Sequence, residues 1–145
     1  MCKRLLVLIL VFLMALSVSA CAEVVSDVNK DISDSLLITL DKGTYDANDA
    51  KIVVNIKNAS EVIEYTYGEK VILEVKENGE YKSAGEDLIY NDMLYILIPL
   101  GESEMTVSLN EKFPDLSSGE YRLGITFNVT GSEIFETVFA KFTLE

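Results

Sequence analysis

Hydrophobic and polar positions give the chain two textures. Leu5–Leu16 is an unbroken apolar run. From Leu36 onward, apolar residues instead recur at every second position in short segments. Leu36, Ile38 and Leu40 form the first, Ile52, Val54 and Ile56 the second, and Val71, Leu73 and Val75 the third. Leu94–Ile98 is continuously apolar until Pro99, which cannot donate to a strand ladder. Met105, Val107 and Leu109 alternate next, then Tyr121, Leu123, Ile125, Phe127 and Val129, and finally Val138, Ala140, Phe142 and Leu144. A period of two sends successive side chains to opposite faces of a strand. Turn signals separate the segments: Glu77-Asn78-Gly79-Glu80 is an Asn-Gly hairpin signal, and Gly131-Ser132 turns the chain again. No long stretch keeps a helical period, and Ser60–Tyr65 holds one helical turn at most. Strands with one apolar face must bury it against another sheet. The pattern therefore predicts an all-β domain over residues 36–145, a two-sheet antiparallel sandwich of seven to eight strands.

The first texture reads as a targeting segment. Lys3 and Arg4 precede the apolar run, and Val18-Ser19-Ala20 follows it as a small-residue exit. That is the layout of a secretory signal peptide over residues 1–20. An uncleaved span is the alternative, but Leu5–Ala20 falls short of the roughly 20 apolar residues a bilayer requires. Leu16-Ser17-Val18-Ser19-Ala20-Cys21 resembles the bacterial lipobox. The resemblance implies cleavage between Ala20 and Cys21 and a lipid on the Cys21 thiol, so the membrane becomes a partner through that lipid. One acyl chain holds a protein marginally, and two anchor it stably. The competing readings are a secreted protein cut after Ala20 and a Cys2–Cys21 disulfide; the second fails because Cys2 leaves with the leader. Residues 21–35 are polar from Ser26 onward and read as a flexible tether. Val24, Val25 and Val28 are the alternative, a short first strand.

Composition removes most catalytic chemistry. Among 145 residues there is no His, no Trp and only two Cys. Nucleophilic systems that need His are excluded, as are Cys/His zinc sites. Twenty-four acidic residues against twelve basic ones give a net charge of −12. Cleavage removes two cations and no acid, which deepens the excess. Such a surface does not bind nucleic acid, whose affinity rests on Lys and Arg at phosphates.

Four stretches carry a resemblance to the bacterial immunoglobulin-like domains of extracellular lipoproteins. They are Ile38-Thr39-Leu40-Asp41-Lys42-Gly43-Thr44-Tyr45, Ile52–Ser60 with its Asn58-Ala59-Ser60 exit, Pro99-Leu100-Gly101-Glu102-Ser103, and Leu116–Leu123 with Gly119-Glu120-Tyr121. Leu100 and Ser118 stand where that family often has Pro. The resemblance implies an immunoglobulin-like sandwich, with Tyr121 forming a tyrosine corner by bonding backbone a few residues upstream. It also implies a binding or accessory module of the cell envelope, with no catalysis, no cofactor and no small-molecule substrate. The partner would be an envelope or extracellular protein, recognised by a strand face or by end loops. The alternative is a protease inhibitor presenting Asp87–Met93 or Lys112–Ser118.

The remaining constellations divide between surface and site. Asp46-Ala47-Asn48-Asp49 offers hard oxygen ligands for calcium, but lacks the glycine and distal glutamate of a regular loop and reads first as a turn. No metal is expected. Glu102, Glu104 and Glu111, or Glu61 and Glu64, are carboxylate groupings of the kind chance produces among so many acids. Asn58-Ala59-Ser60 and Asn128-Val129-Thr130 match a glycosylation pattern that carries no meaning behind a bacterial leader. Tyr65, Tyr67, Tyr90 and Tyr95 are the candidate binding face, because Tyr brings rigid area with a polar tip; core packing competes with that reading. Phe135 and Phe139 share the strand face opposite Val138 and Phe142. An uncovered face there would be a contact stripe.

Overall fold

The computed structural model of the chain describes residues 34–48, 50–85, 92–113 and 115–145. The leader, Cys21, the tether up to residue 33, Asp49, Asp87, Tyr90 and Pro114 lie outside the described residues.

The strands are β1 (Leu36–Leu40), β2 (Thr44–Tyr45), β3 (Lys51–Asn58), β4 (Tyr65–Glu77), β5 (Glu80–Ser83), β6 (Leu94–Leu97), β7 (Glu102–Ser108), β8 (Gly119–Val129) and β9 (Phe135–Leu144). A single helical turn, α1 (Leu109–Lys112), follows β7. One sheet runs β1-β3-β7 and the other β2-β9-β8-β4-β5, with β6 also on β4. This is the all-β, two-sheet architecture that the alternation predicts. Two details differ from the expectation. Thr44–Tyr45 forms a ninth strand too short to show a period, and it pairs in parallel with Thr143–Leu144. Ser60–Tyr65 is not helical: the Ser60 hydroxyl accepts the N–H groups of Val62 and Ile63, and Tyr65 already begins β4.

Strand β4 organises the larger sheet. Residues Tyr65–Tyr67 pair with β8 on one side and β6 on the other, while Glu74 and Val75 pair with β8 and β5. So β5 and β6 share the side of β4 that faces away from β8. The register breaks between Tyr67 and Val71, where four steps on β4 match two on β8. A bulge of this kind bends its strand, and it separates the β6-paired half from the β5-paired half. The Glu77–Glu80 hairpin closes through Asn78 at φ 53° and Gly79 at φ 88°, the left-handed pair that a two-residue loop requires.

The core lies between the sheets. Ile38, Ile52, Val54, Ile56 and Val107 enter it from the first sheet, and Tyr65, Tyr67, Val71, Leu73, Leu123, Ile125, Phe127, Phe142 and Leu144 from the second. Burying such side chains stabilises the fold by about 1.5–3 kcal/mol each. Polar ties fix the connections. Tyr45 donates its hydroxyl to Asp41 Oδ1 at 2.8 Å and accepts the Lys42 N–H at 3.0 Å. The same Asp41 oxygen accepts the Val53 N–H of β3 at 2.9 Å. The Tyr45 bond, then the Val53 bond, hold the Asp41 carboxyl below its usual range. Burial, then the Asp41 bond, push the Tyr45 hydroxyl up to about 12. Tyr121 is buried, and its hydroxyl donates to the Ser117 carbonyl at 2.7 Å.

Candidate functional site

Three of the four tyrosines, Tyr65, Tyr67 and Tyr95, lie on the inner face of the larger sheet, with Tyr95 directly across from Tyr67. The odd positions of β4 point at the opposite sheet, so Tyr65 and Tyr67 are core residues, and the expectation of an exposed binding face is corrected for both. Tyr65 lies against Phe127, and its hydroxyl bonds Ser35 Oγ at 2.6 Å. Burial raises its pKa. Tyr67 packs on Phe127 at 5.4 Å and donates its hydroxyl to Ser103 Oγ of β7 at 2.6 Å, a bond between the two sheets. Tyr95 is half-buried at the sheet edge. It stacks on Tyr67 with ring centroids 5.4 Å apart, and its hydroxyl donates to Glu69 at 2.7 Å. That bond raises the Tyr95 pKa. Tyr90 lies outside the described residues.

Tyr67 and Tyr95 line a cleft of about 260 Å³ between the edges of the two sheets, with Ser103, Glu104 and Thr106 across from them. Glu102 beside it lies below its usual range, because the Lys57 ammonium bonds it at 2.8 Å. Among the described residues no group of three or more His, Cys, Asp or Glu could hold a metal ion. Asp46 and Asn48 engage one another, Asp46 Oδ1 accepting the Asn48 backbone N–H at 2.8 Å, an Asx turn. Of the two inhibitor loops, Lys112–Ser118 buries Phe113 and gives its Ser117 carbonyl to Tyr121, so it presents no extended anchor. Asp87–Met93 lies mostly outside the described residues.

Two features matter more than the sequence suggests. Asn58 is the single buried polar side chain among the described residues. Its Nδ2 donates to the carbonyls of Ile63 at 2.7 Å and Ile98 at 3.0 Å, and its Oδ1 accepts the Ser60 N–H at 2.9 Å. It is a structural hub inside the domain, well suited to the Asn-x-Ser strand exit that marks it in the sequence. The second feature is the run at β6. Leu94, Ile96 and Ile98 point outward and are exposed, while Leu97 is buried. A continuous apolar run resembles a doubly covered strand, yet β6 is covered on one face only.

The outer face of the larger sheet is otherwise closed by its own side chains. Arg122 lies between the rings of Tyr81 and Phe139, 4.3 and 4.2 Å from their centroids, and pairs with Glu74. Phe139 lies over Gly124, where a Cβ would come within 2.6 Å of the ring. Phe139 is half-buried, and Phe135 is exposed. Among the described residues no helix is long and apolar enough to cross a membrane.

Comparison with known proteins follows the architecture. No curated protein matches the sequence. Among solved structures, an ASH / PapD-like domain of human CEP192 (PapD-like domain 7) is similar, with 10% identity and a TM-score of 0.44, over 78% of this chain and 85% of that one. A protein from Archaeoglobus fulgidus is similar with 13% identity and a TM-score of 0.36, over 77% of this chain and 96% of that one. The sequence model of one family, described as bacterial Ig-like domain, matches residues 33–143. That span runs from before β1 to the next-to-last residue of β9, and the chain belongs to the bacterial Ig-like domain family.

Proposed function

We propose that the protein is a lipid-anchored, extracytoplasmic binding or accessory module of the bacterial cell envelope. Bacterial Ig-like domains are usually extracellular or surface-exposed and typically non-enzymatic. The observation that carries the reading is the Leu16–Cys21 segment, placed behind an apolar run and ahead of an Ig-like domain. The lipid on Cys21 holds the domain at the membrane, and residues 22–35 give it reach. The domain itself recognises a partner without transforming it. Its polar groups are bonded to one another, and the acidic surface keeps it soluble.

The test is metabolic labelling of intact cells with radioactive palmitate. Wild-type protein is expected to take the label, and Cys21→Ala to lose it and to accumulate as the uncleaved form. Equal labelling of both, or none in wild type, rejects the anchor. A photo-crosslinking scan over exposed positions of both sheets tests recognition. Adduct-free protein at every position in labelled cells rejects the binding role.

A further inference from the structure

We propose that the open edge of β6 is a docking strand for an extended polypeptide segment whose alternate residues are apolar and whose flanks carry Lys or Arg. This rests on the reading of the protein as a binding module and names the surface and the partner chemistry.

The first observation is exposure where a sheet edge normally hides it. Leu94, Ile96 and Ile98 are 71%, 62% and 59% exposed, and Leu100 and Val62 beside them are 63% and 84% exposed. Among the described residues β6 has one ladder partner, β4. Edge strands are ordinarily blunted by charge or by shortness, because bare edges recruit other chains. Three of the other edges follow that rule, whereas β1, five residues without a charge, exposes one large apolar side chain, Leu37. β7 shows Glu102 and Glu104 outward, β5 carries Glu80 and Lys82, and β2 has two residues. Only at β6 do bulky exposed apolar side chains follow at two-residue spacing, Leu94 and Ile96 in the strand and Ile98 just past its end.

The second observation is backbone strain beside the stripe. Ile98-Pro99-Leu100-Gly101 is a turn closed by the Gly101 N–H on the Ile98 carbonyl at 2.9 Å. Leu100 has φ 57°. Pro fixes the preceding position, so this is the type II arrangement, whose third residue is ordinarily Gly or Asn. A leucine there is strained and is held by its surroundings. Gly101 cannot exchange places with it, since a Cβ at 101 would lie 2.8 Å from the Ile98 oxygen. A strained leucine whose side chain is left in water gains nothing within the domain. It extends the apolar stripe past Ile98.

The third observation sets the partner. Glu61, Glu64 and Asp92 border the stripe in the chain, and none of the three is in an ion pair among the described residues. The cations that pair elsewhere are spent within the sheets, on Glu74, Glu77, Glu102 and Glu120. An apolar strip with unpaired carboxylates at its borders complements apolar residues between basic ones. A second copy would bring carboxylates against carboxylates, and an anionic bilayer would repel the same rim. Strand addition uses main-chain hydrogen bonds for affinity and alternate side chains for selection, which is what an apolar edge strand offers.

The full chain, purified in mild detergent, is titrated with a fluorescent twelve-residue peptide of alternating Val and Thr with two lysines at each end. Anisotropy is expected to show saturable binding that weakens with salt. Ile96→Lys, at an exposed position that leaves the melting temperature unchanged, is expected to weaken it at least about tenfold, and Leu94→Lys likewise. Methylating alternate peptide amides, or replacing the lysines by glutamates, is expected to abolish it. Equal affinity for wild type and Ile96→Lys overturns the proposal, as does equal affinity of the methylated peptide. Sedimentation showing a wild-type dimer that Ile96→Lys disperses overturns it in favour of a second copy. In cells, crosslinker at position 96 is expected to give adducts that the lysine-flanked peptide competes away. Adducts at Asn55, on the outer face of the other sheet, with none at 96 would reject this surface while the binding role stands.

Discussion

Replacing Asn58 by Ala tests whether one buried amide holds the connections around β6. The side chain is 0% exposed and spans three segments. It bonds the Ile63 carbonyl at 2.7 Å, the Ile98 carbonyl at 3.0 Å and the Ser60 N–H at 2.9 Å. The Leu97 carbonyl at 3.4 Å adds little. Removing the amide does not orphan the three strong partners equally. The Ile98 carbonyl keeps the Gly101 N–H. Ile63 and Ser60 lose the bonds described for their part-buried groups, and a group left unsatisfied costs about 1–3 kcal/mol where water does not reach it. The expected loss is therefore about 3 kcal/mol. At a urea slope of about 1.5 kcal/mol/M, the midpoint falls by about 2 M with the slope unchanged. Asn58→Asp keeps the shape and the acceptor but removes both donors. It is expected to lose as much at pH 7 and to regain part of it near pH 4, relative to wild type at the same pH, because a carboxyl facing carbonyls is raised in pKa and donates once protonated. A loss below about 1 kcal/mol for Asn58→Ala would refute the reasoning, since it would mean that the partners find water at no cost.

Three further substitutions probe other ties. Tyr121→Phe removes the bond to Ser117 and is expected to lower stability by about 1 kcal/mol in chemical denaturation; no loss means the corner contributes only packing. Asp41→Asn weakens the bonds from Tyr45 and Val53. The Asp41 pKa is lowered by folding, so its contribution is present above the unfolded value of about 4 and fades as pH falls through the lower folded value. The stability gap to wild type is expected to be full at pH 7 and to close toward pH 2, and a gap that does not change with pH refutes the assignment. Gly124→Ala drives a methyl group into Phe139, and the ring can yield only by leaving Arg122. A loss of about 1–3 kcal/mol is expected from the melting temperature, and a neutral outcome would show the stack to be loose.

What the sequence reveals is what depends on period and on turn chemistry. Ile52, Val54 and Ile56 alternate because one face of β3 is buried, and Asn78-Gly79 closes its hairpin because both positions need positive φ. These are local causes, visible in a few residues. The tyrosines fail for the opposite reason. Tyr65 and Tyr67 share a face, as the spacing says, but which face is set by β8 and β7 lying far along the chain. Thr44–Tyr45 is invisible as a strand because its pairing partner is the end of the chain and its length is below one period. Leu94–Ile98 reads as buried on both faces, since apolarity alone cannot tell a covered strand from an edge. The proposed lipid anchor is the reverse case: its signal in the sequence is wholly local, and it falls outside the described residues.

The stripe at β6 and the hub at Asn58 are parts of one device. An apolar edge left loose would be ordered only on binding, and ordering a side chain costs about 0.5–1.5 kcal/mol each time. Here the segment is held from both ends in the free domain. Asn58 bonds the Ile98 carbonyl through its side chain and the Gly101 carbonyl through its backbone N–H, while the Leu100 N–H bonds the Ser60 carbonyl. Ladder pairing to Tyr65–Gly68 fixes the strand before it. Leaving Leu94, Ile96 and Ile98 in water forgoes burial worth about 1.5–3 kcal/mol for each. A fold that only needed stability would replace them with Thr or Lys, residues that β6's neighbours tolerate on the same face at Thr66 and Lys70. That the same few residues both strain the turn at Leu100 and anchor it through Asn58 is the physical reason to read the edge as built for contact.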